Sequence, residues 1–150
     1  MTRDLRILLA QGCGTCRQLL EKQLSLWALP FDSVANGEDA LEHFINNPYD
    51  LVLMDLQMPH MDGVEATEQI RDFEERDRAH HVPIVAVTAD AFVETAVRCK
   101  EAGMCEVVVK PYDSYDLRFI IYYYLGNIWK LRSIEESRCT GKRVFIQPTY

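Results

Sequence analysis

Three short stretches of the chain end in side chains that could carry out phosphoryl chemistry together. MDLQMP (54–59) places Asp55 directly after an apolar run, VTAD (87–90) places Thr88 after a second, and VVKPY (108–112) places Lys110 after a third. A carboxylate can act as a nucleophile toward phosphorus, provided that the charge of the transferred group is neutralised. An ammonium and a hydroxyl brought beside it suit that task. A fourth apolar run, ILLA (7–10), opens into Gln11-Gly12-Cys13-Gly14-Thr15-Cys16, a loop of small residues with no charged group. The contrast between this bare loop and the carboxylate at residue 55 bears on what the chain can do.

Short apolar runs alternate with longer amphipathic ones. Strands are expected at 6–10, 31–35, 51–54, 84–87 and 106–109, and helices at 16–28, 38–46, 64–76, 91–101 and from 114 onward. Gly37, Pro48, Gly63, Pro83, Gly103 and Pro111 punctuate the joins. The stretches LVLM (51–54) and IVAV (84–87) are apolar without alternation, which suits strands covered on both faces of a parallel sheet. Five βα units with right-handed crossovers predict a doubly wound α/β domain with a five-stranded parallel sheet. Ligands in such sheets sit at the carboxyl ends of the strands, where Gln11, Asp55, Thr88 and Lys110 all fall. The pattern weakens after Gly126. The expected division is a domain over 1–128 and, over 129–150, an extension of the last helix or a tail with a short strand, RVFIQ.

Composition narrows the functional classes. The chain has 150 residues, 48% apolar and 26% charged, as for one globular domain. A net charge of −7 argues against nucleic-acid binding, which needs clustered Lys and Arg. The N-terminus lacks a secretory pattern and the run FIIYYYLGNIW is too short to span a bilayer. Five cysteines without a framework spacing fit a reducing cytoplasm.

MDLQMPHMDG (54–63), VTADAF (87–92) and VVKPY (108–112), in this order on successive strand ends, resemble the receiver domain of two-component response regulators, over about residues 6–124. The flavour is most similar to receivers of hybrid histidine kinases and phosphorelays. The resemblance implies strand order 2-1-3-4-5. It implies Asp55 as phosphoacceptor from a phosphohistidine, Thr88 and Lys110 as partners of the phosphoryl oxygens, a cis peptide before Pro111, and a rim shaped by Pro59 and Gly63. The family also places two acids after the first strand. Together with the phosphoacceptor and the carbonyl of the residue at position 57, they hold Mg²⁺. Here those positions are Gln11 and Gly12, leaving only Asp55 and the Gln57 carbonyl, so Mg²⁺ is expected to bind weakly or not at all, and no other cofactor is expected. Asp55, without acidic neighbours, is expected to pair with Lys110. Val107 stands where the family has a Tyr or Phe that rotates on activation, a further departure.

Other signals weigh less. Cys13-Gly14-Thr15-Cys16 is a CxxC motif between a strand and a helix, readable as a thiol-based sensor or as small residues filling an acid-free pocket. His80 and His81 could complete a Cys2His2 zinc set, but the fold would put them at the opposite sheet edge. The run RDFEERDRAHH (71–81) reads as a solvated helix end. The last helix carries Tyr112, Tyr115, Phe119, Tyr122, Tyr123, Tyr124 and, if it lengthens, Trp129, more aromatic surface than one buried stripe needs. Self-association or partner docking through this helix is expected. The chain thus reads as a cytoplasmic receiver-like phosphorelay module with Asp55 at the phosphoacceptor position and degenerate positions Gln11, Gly12 and Val107. It is expected to act through protein contacts with a histidine kinase or histidine phosphotransfer protein, with no nucleic acid or membrane as partner. It is no enzyme beyond self-phosphorylation and dephosphorylation at Asp55. The alternatives are a fully phosphorylatable receiver and the Cys13/Cys16 sensor.

Overall fold

The computed structural model describes residues 5–126 and 143–145. Its elements alternate along the chain: β1 (Ile7–Ala10), α1 (Gly14–Leu26), β2 (Phe31–Val34), α2 (Gly37–Asn46), β3 (Leu51–Met54), α3 (Gly63–Asp77), β4 (Ile84–Thr88), α4 (Val93–Ala102), β5 (Glu106–Val109), α5 (Ser114–Tyr124) and β6 (Arg143–Phe145). The sheet order is β2-β1-β3-β4-β5-β6. The first five strands pair in parallel in the expected order 2-1-3-4-5. The sixth pairs antiparallel with β5, Val144 opposite Val107, so part of the expected RVFIQ strand does close that edge.

The unbroken apolar runs are explained by two cores. Ile7, Leu9, Leu51, Leu53, Val85, Val87 and Val108 face α1 and α5. Leu8, Ala10, Val52, Met54, Ile84, Ala86 and Val107 face α2, α3 and α4. Successive strand residues therefore bury on opposite faces, each apolar side chain contributing roughly 1.5–3 kcal/mol by leaving water. Val107 belongs to the second core and is wholly buried.

Helix starts are set by local acceptors. Asp62 caps α3 by accepting from Glu65 N (2.8 Å), and Asn36 caps α2 by accepting from Asp39 N (2.8 Å). α1 begins two residues earlier than its periodicity suggests because Cys13 takes the cap position, its sulfur accepting from Cys16 N. α4 begins two residues late: Asp90 accepts from Phe92 N and from the Thr95 hydroxyl, tying the preceding turn. α5 closes at Tyr124 with Leu125 as its C-cap, and Trp129 lies outside the described residues. Among the described residues no helix is long and apolar enough to cross a membrane.

The end of α5 is fastened to β5 through a polar contact inside the apolar layer. The Tyr124 hydroxyl lies near the buried Glu106 carboxyl and the Cys105 thiol, and burial together with these neighbours pushes its acidity far down. Tyr124→Phe is expected to cost about 1 kcal/mol in urea unfolding, the typical net contribution of one such hydroxyl contact. An unchanged unfolding midpoint would show that the hydroxyl adds nothing to the fastening of α5.

Candidate functional site

The carboxyl ends of β1, β3, β4 and β5 bring Gln11, Asp55, Thr88 and Lys110 to one edge of the sheet, as the spacing predicts. Asp55 is buried, with 7% of its surface exposed. Both carboxylate oxygens take backbone donors: Oδ2 accepts from Gly12 N and Oδ1 from Gln57 N, each at 3.2 Å. Its own N–H donates to Ala10 O (2.8 Å), fixing β3 against β1 at the point where the chain leaves the sheet. Thr88 is also buried, its hydroxyl accepting from Asp90 N (3.1 Å). The Lys110–Pro111 peptide is cis, as expected.

The expected Asp55–Lys110 ion pair is not formed among the described residues. Lys110 Nζ donates instead to Gln11 Oε1 at 3.3 Å. The reason lies in burial. Gln11 has no exposed surface, and its amide oxygen needs a donor more than Asp55 does, whose two oxygens are already served. The Gln11 Nε2 group is left without a hydrogen-bond partner.

These residues do not make a fitting site for a divalent cation. A hard cation wants several oxygen ligands, carboxylates foremost. Gln11 offers one amide oxygen, already bound to an ammonium, and Gly12 offers no side chain. The space for a side chain has also closed: a Cβ built on Gly12 would lie 2.8 Å from the Gln57 carbonyl oxygen and 3.3 Å from Met58 Cα. Only glycine permits that approach of the β3–α3 loop. Among the described residues no cluster of three His, Cys, Asp or Glu side chains could hold a metal. His80 and His81 precede β4, at the edge opposite Cys13 and Cys16.

One residue escaped the sequence reading. Arg98, on the exposed side of α4, lines a cleft of about 570 Å³ with Gly12, Gln57, Met58, Thr88 and Thr95. Its charge, after the hydrogen bonds from Thr95 and Phe92, helps hold the Asp90 carboxyl below the usual range. The signal was its three-residue spacing from Thr95, which puts both on one helix face.

The response regulator receiver domain profile matches residues 7–122. The chain belongs to the response regulator receiver family. Among relatives, the regulatory protein AtoC of Escherichia coli K12 is 36% identical over 121 residues, covering 81% of this chain but 25% of AtoC. This receiver therefore spans about a quarter of that protein's length. The receiver domain of the sensor histidine kinase PA1611 from Pseudomonas aeruginosa PAO1 superposes with TM-score 0.74 at 31% identity, over 83% of this chain and 99% of the other. That domain is described with a magnesium ion coordinated in its active-site cleft. The fold also matches the receiver domain of Saccharomyces cerevisiae Ssk1, crystallised with the histidine phosphotransfer protein Ypd1 (TM-score 0.76, 24% identity, 83% of this chain and 90% of the other).

Proposed function

We propose that this receiver is a phosphorelay module with Asp55 as its phosphoacceptor position and a pocket that works without Mg²⁺, signalling mainly through protein contacts. The observation that carries this reading is the closure of the β3–α3 loop onto Gly12, where a side chain would meet the Gln57 carbonyl at 2.8 Å. In transfer from a phosphohistidine, an Asp55 oxygen forms the new bond to phosphorus as the P–N bond breaks, and the imidazole leaves after taking up a proton. Two backbone N–H groups on Asp55 hold it in place but also draw on the lone pairs that must attack. Lys110 and Thr88 supply charge and a hydrogen bond to the phosphoryl oxygens, and Arg98 faces the same cleft.

The donor would be a histidine phosphotransfer protein or a histidine kinase in the cytoplasm, in keeping with the Ssk1–Ypd1 pairing. Partner contact or self-association is assigned to α5, where Tyr115 and Tyr123 are 44% and 51% exposed. The β5 edge is taken by the chain's own β6, so contact through added strands is disfavoured there.

An NMR titration of the uniformly ¹⁵N-labelled protein with Mg²⁺ to millimolar levels tests the pocket. No saturable shift is expected at the amides of Gly12, Asp55 and Gln57. Saturation at all three with a common midpoint would overturn the reading and favour an ordinary, fully phosphorylatable receiver.

A further inference from the structure

Cys13 and Cys16 follow Gly12, whose N–H holds the Asp55 carboxylate, and take no part in the function proposed above. Cys13 is the cap of α1 and Cys16 lies three residues on, one turn along the same face, so their side chains meet. The Cys13 sulfur accepts from Cys16 N at 3.5 Å, and each thiol shifts the acidity of the other. Lys110 reaches over from the end of β5. Its Nζ donates to Gln11 Oε1 at 3.3 Å, and its charge acts on both thiols. The first turn of α1 contains no acidic residue to compete for the helix N-terminus. Cys13 is exposed, and Cys16 is half-buried behind it.

We propose that Cys13 and Cys16 form a reversible disulfide, with Cys13 as the attacking sulfur, Cys16 as the resolving sulfur and Lys110 as the cation that assists both.

The chemistry balances with a low-molecular-weight disulfide as oxidant. The Cys13 thiolate attacks one sulfur of that reagent, forming a mixed disulfide and releasing the first thiolate. Cys16 gives its proton to solvent and attacks the Cys13 sulfur, forming the Cys13–Cys16 bond and releasing the second. Two protein thiols are oxidised and one reagent disulfide becomes two thiols. The roles follow from the surroundings. The Cys16 N–H and the Lys110 charge pull the Cys13 thiol below its usual range, whereas the neighbouring Cys13 sulfur and burial push Cys16 up. The other ionisable groups around the pair are Tyr112, pushed up to about 12 by burial and the nearby Cys16, and Arg17, which donates to Gln11 O at 2.9 Å. By contrast, burial raises Cys99 and Cys105 to about 11 each, so both stay inert.

Closing the disulfide removes the thiolate charge that either cysteine could set against Lys110. Among the described residues the ammonium then keeps the Gln11 oxygen as its hydrogen-bond acceptor and is free to serve an anion at Asp55, which links the oxidation state of the loop to that pocket.

The full-length protein incubated in glutathione buffers of rising oxidised fraction, trapped by alkylation and mapped by peptide digestion, tests this. The expected product is one Cys13–Cys16 disulfide, resolved by mapping from Cys139, which lies outside the described residues. Cys16→Ser should stop at a Cys13–glutathione mixed disulfide. Cys13→Ser should form its adduct at Cys16 about tenfold more slowly. Lys110→Met, confirmed as folded by circular dichroism, should slow closure in the otherwise native chain by a similar factor. Failure of Cys13 to form any adduct in Cys16→Ser, or equal adduct rates in the two serine variants, overturns the proposal.

Discussion

Replacing Arg71 with Met is expected to destabilise the receiver by about 3 kcal/mol, the loss typical when one member of a buried ion pair is removed. Glu74 is only 4% exposed. Its Oε1 is held by Arg71, and its Oε2 accepts from Val82 N at 2.7 Å. Arg71 in turn donates to Val82 O (2.7 Å) and twice to Gly103 O (2.8 and 3.1 Å). One guanidinium thus ties α3 to the segments before β4 and after α4. Gly103 closes α4 at φ 105°, and a Cβ there would lie 2.9 Å from Arg71 Cγ, so glycine serves both the turn and the passage of the arginine stem. Removing the arginine strands a buried carboxylate and unpairs the Gly103 carbonyl. Thermal unfolding should fall by roughly 10 °C for a domain of this size. Glu74→Leu alone should cost a similar amount. The double variant should cost clearly less than the sum, because two apolar side chains leave no unpaired charge. Additive losses in a urea double-mutant cycle would refute the coupling.

That network also marks where sequence reading stops. The run at 71–81 was expected to be a solvated helix end, and most of it is: Glu75, Arg76, Asp77 and Arg78 are exposed. Phe73 packs against the core, and Arg71 and Glu74 are the charged exceptions, since their partners lie at residues 82 and 103, at distances along the chain that no periodicity displays. The strands were legible for the opposite reason. A five-stranded parallel sheet buries both strand faces, so its signal is a local run of Val, Leu and Ile that needs no knowledge of partners. The strand ends carried Asp55, Thr88 and Lys110 to one edge for the same reason. What could not be read was the hydrogen-bond choice among them. Lys110 goes to Gln11 because Gln11 is buried without another donor to its oxygen, a consequence of packing and not of spacing. The cap at Cys13 was similarly hidden, because a thiol is a weak acceptor and ranks poorly as a helix start.

Phosphorylation of Asp55 by a small acyl phosphate is expected to be insensitive to Mg²⁺, with equal rates in millimolar Mg²⁺ and in excess chelator. The PA1611 receiver domain, described with magnesium in its cleft, serves as the reference in the same assay. Because a bound metal typically contributes several kcal/mol to charge stabilisation, its rate should exceed that of this receiver by about 10²–10⁴-fold with Mg²⁺ present. Intact mass reads the adduct, and Asp55→Asn removes whatever adduct forms. Restoring one acid should not restore the response. Gly12→Asp places a Cβ 2.8 Å from the Gln57 carbonyl, a backbone atom that can retreat only if the β3–α3 loop moves with it. That strain costs about 1–3 kcal/mol, so the variant should lose stability without gaining a Mg²⁺-dependent rate. A Gly12→Asp receiver that matched the PA1611 domain would show that only a missing carboxylate, and not a closed loop, separates the two pockets. A stoichiometric, Mg²⁺-dependent adduct on the unaltered chain would go further, because the Gln11 amide oxygen would then have to exchange its ammonium for a metal.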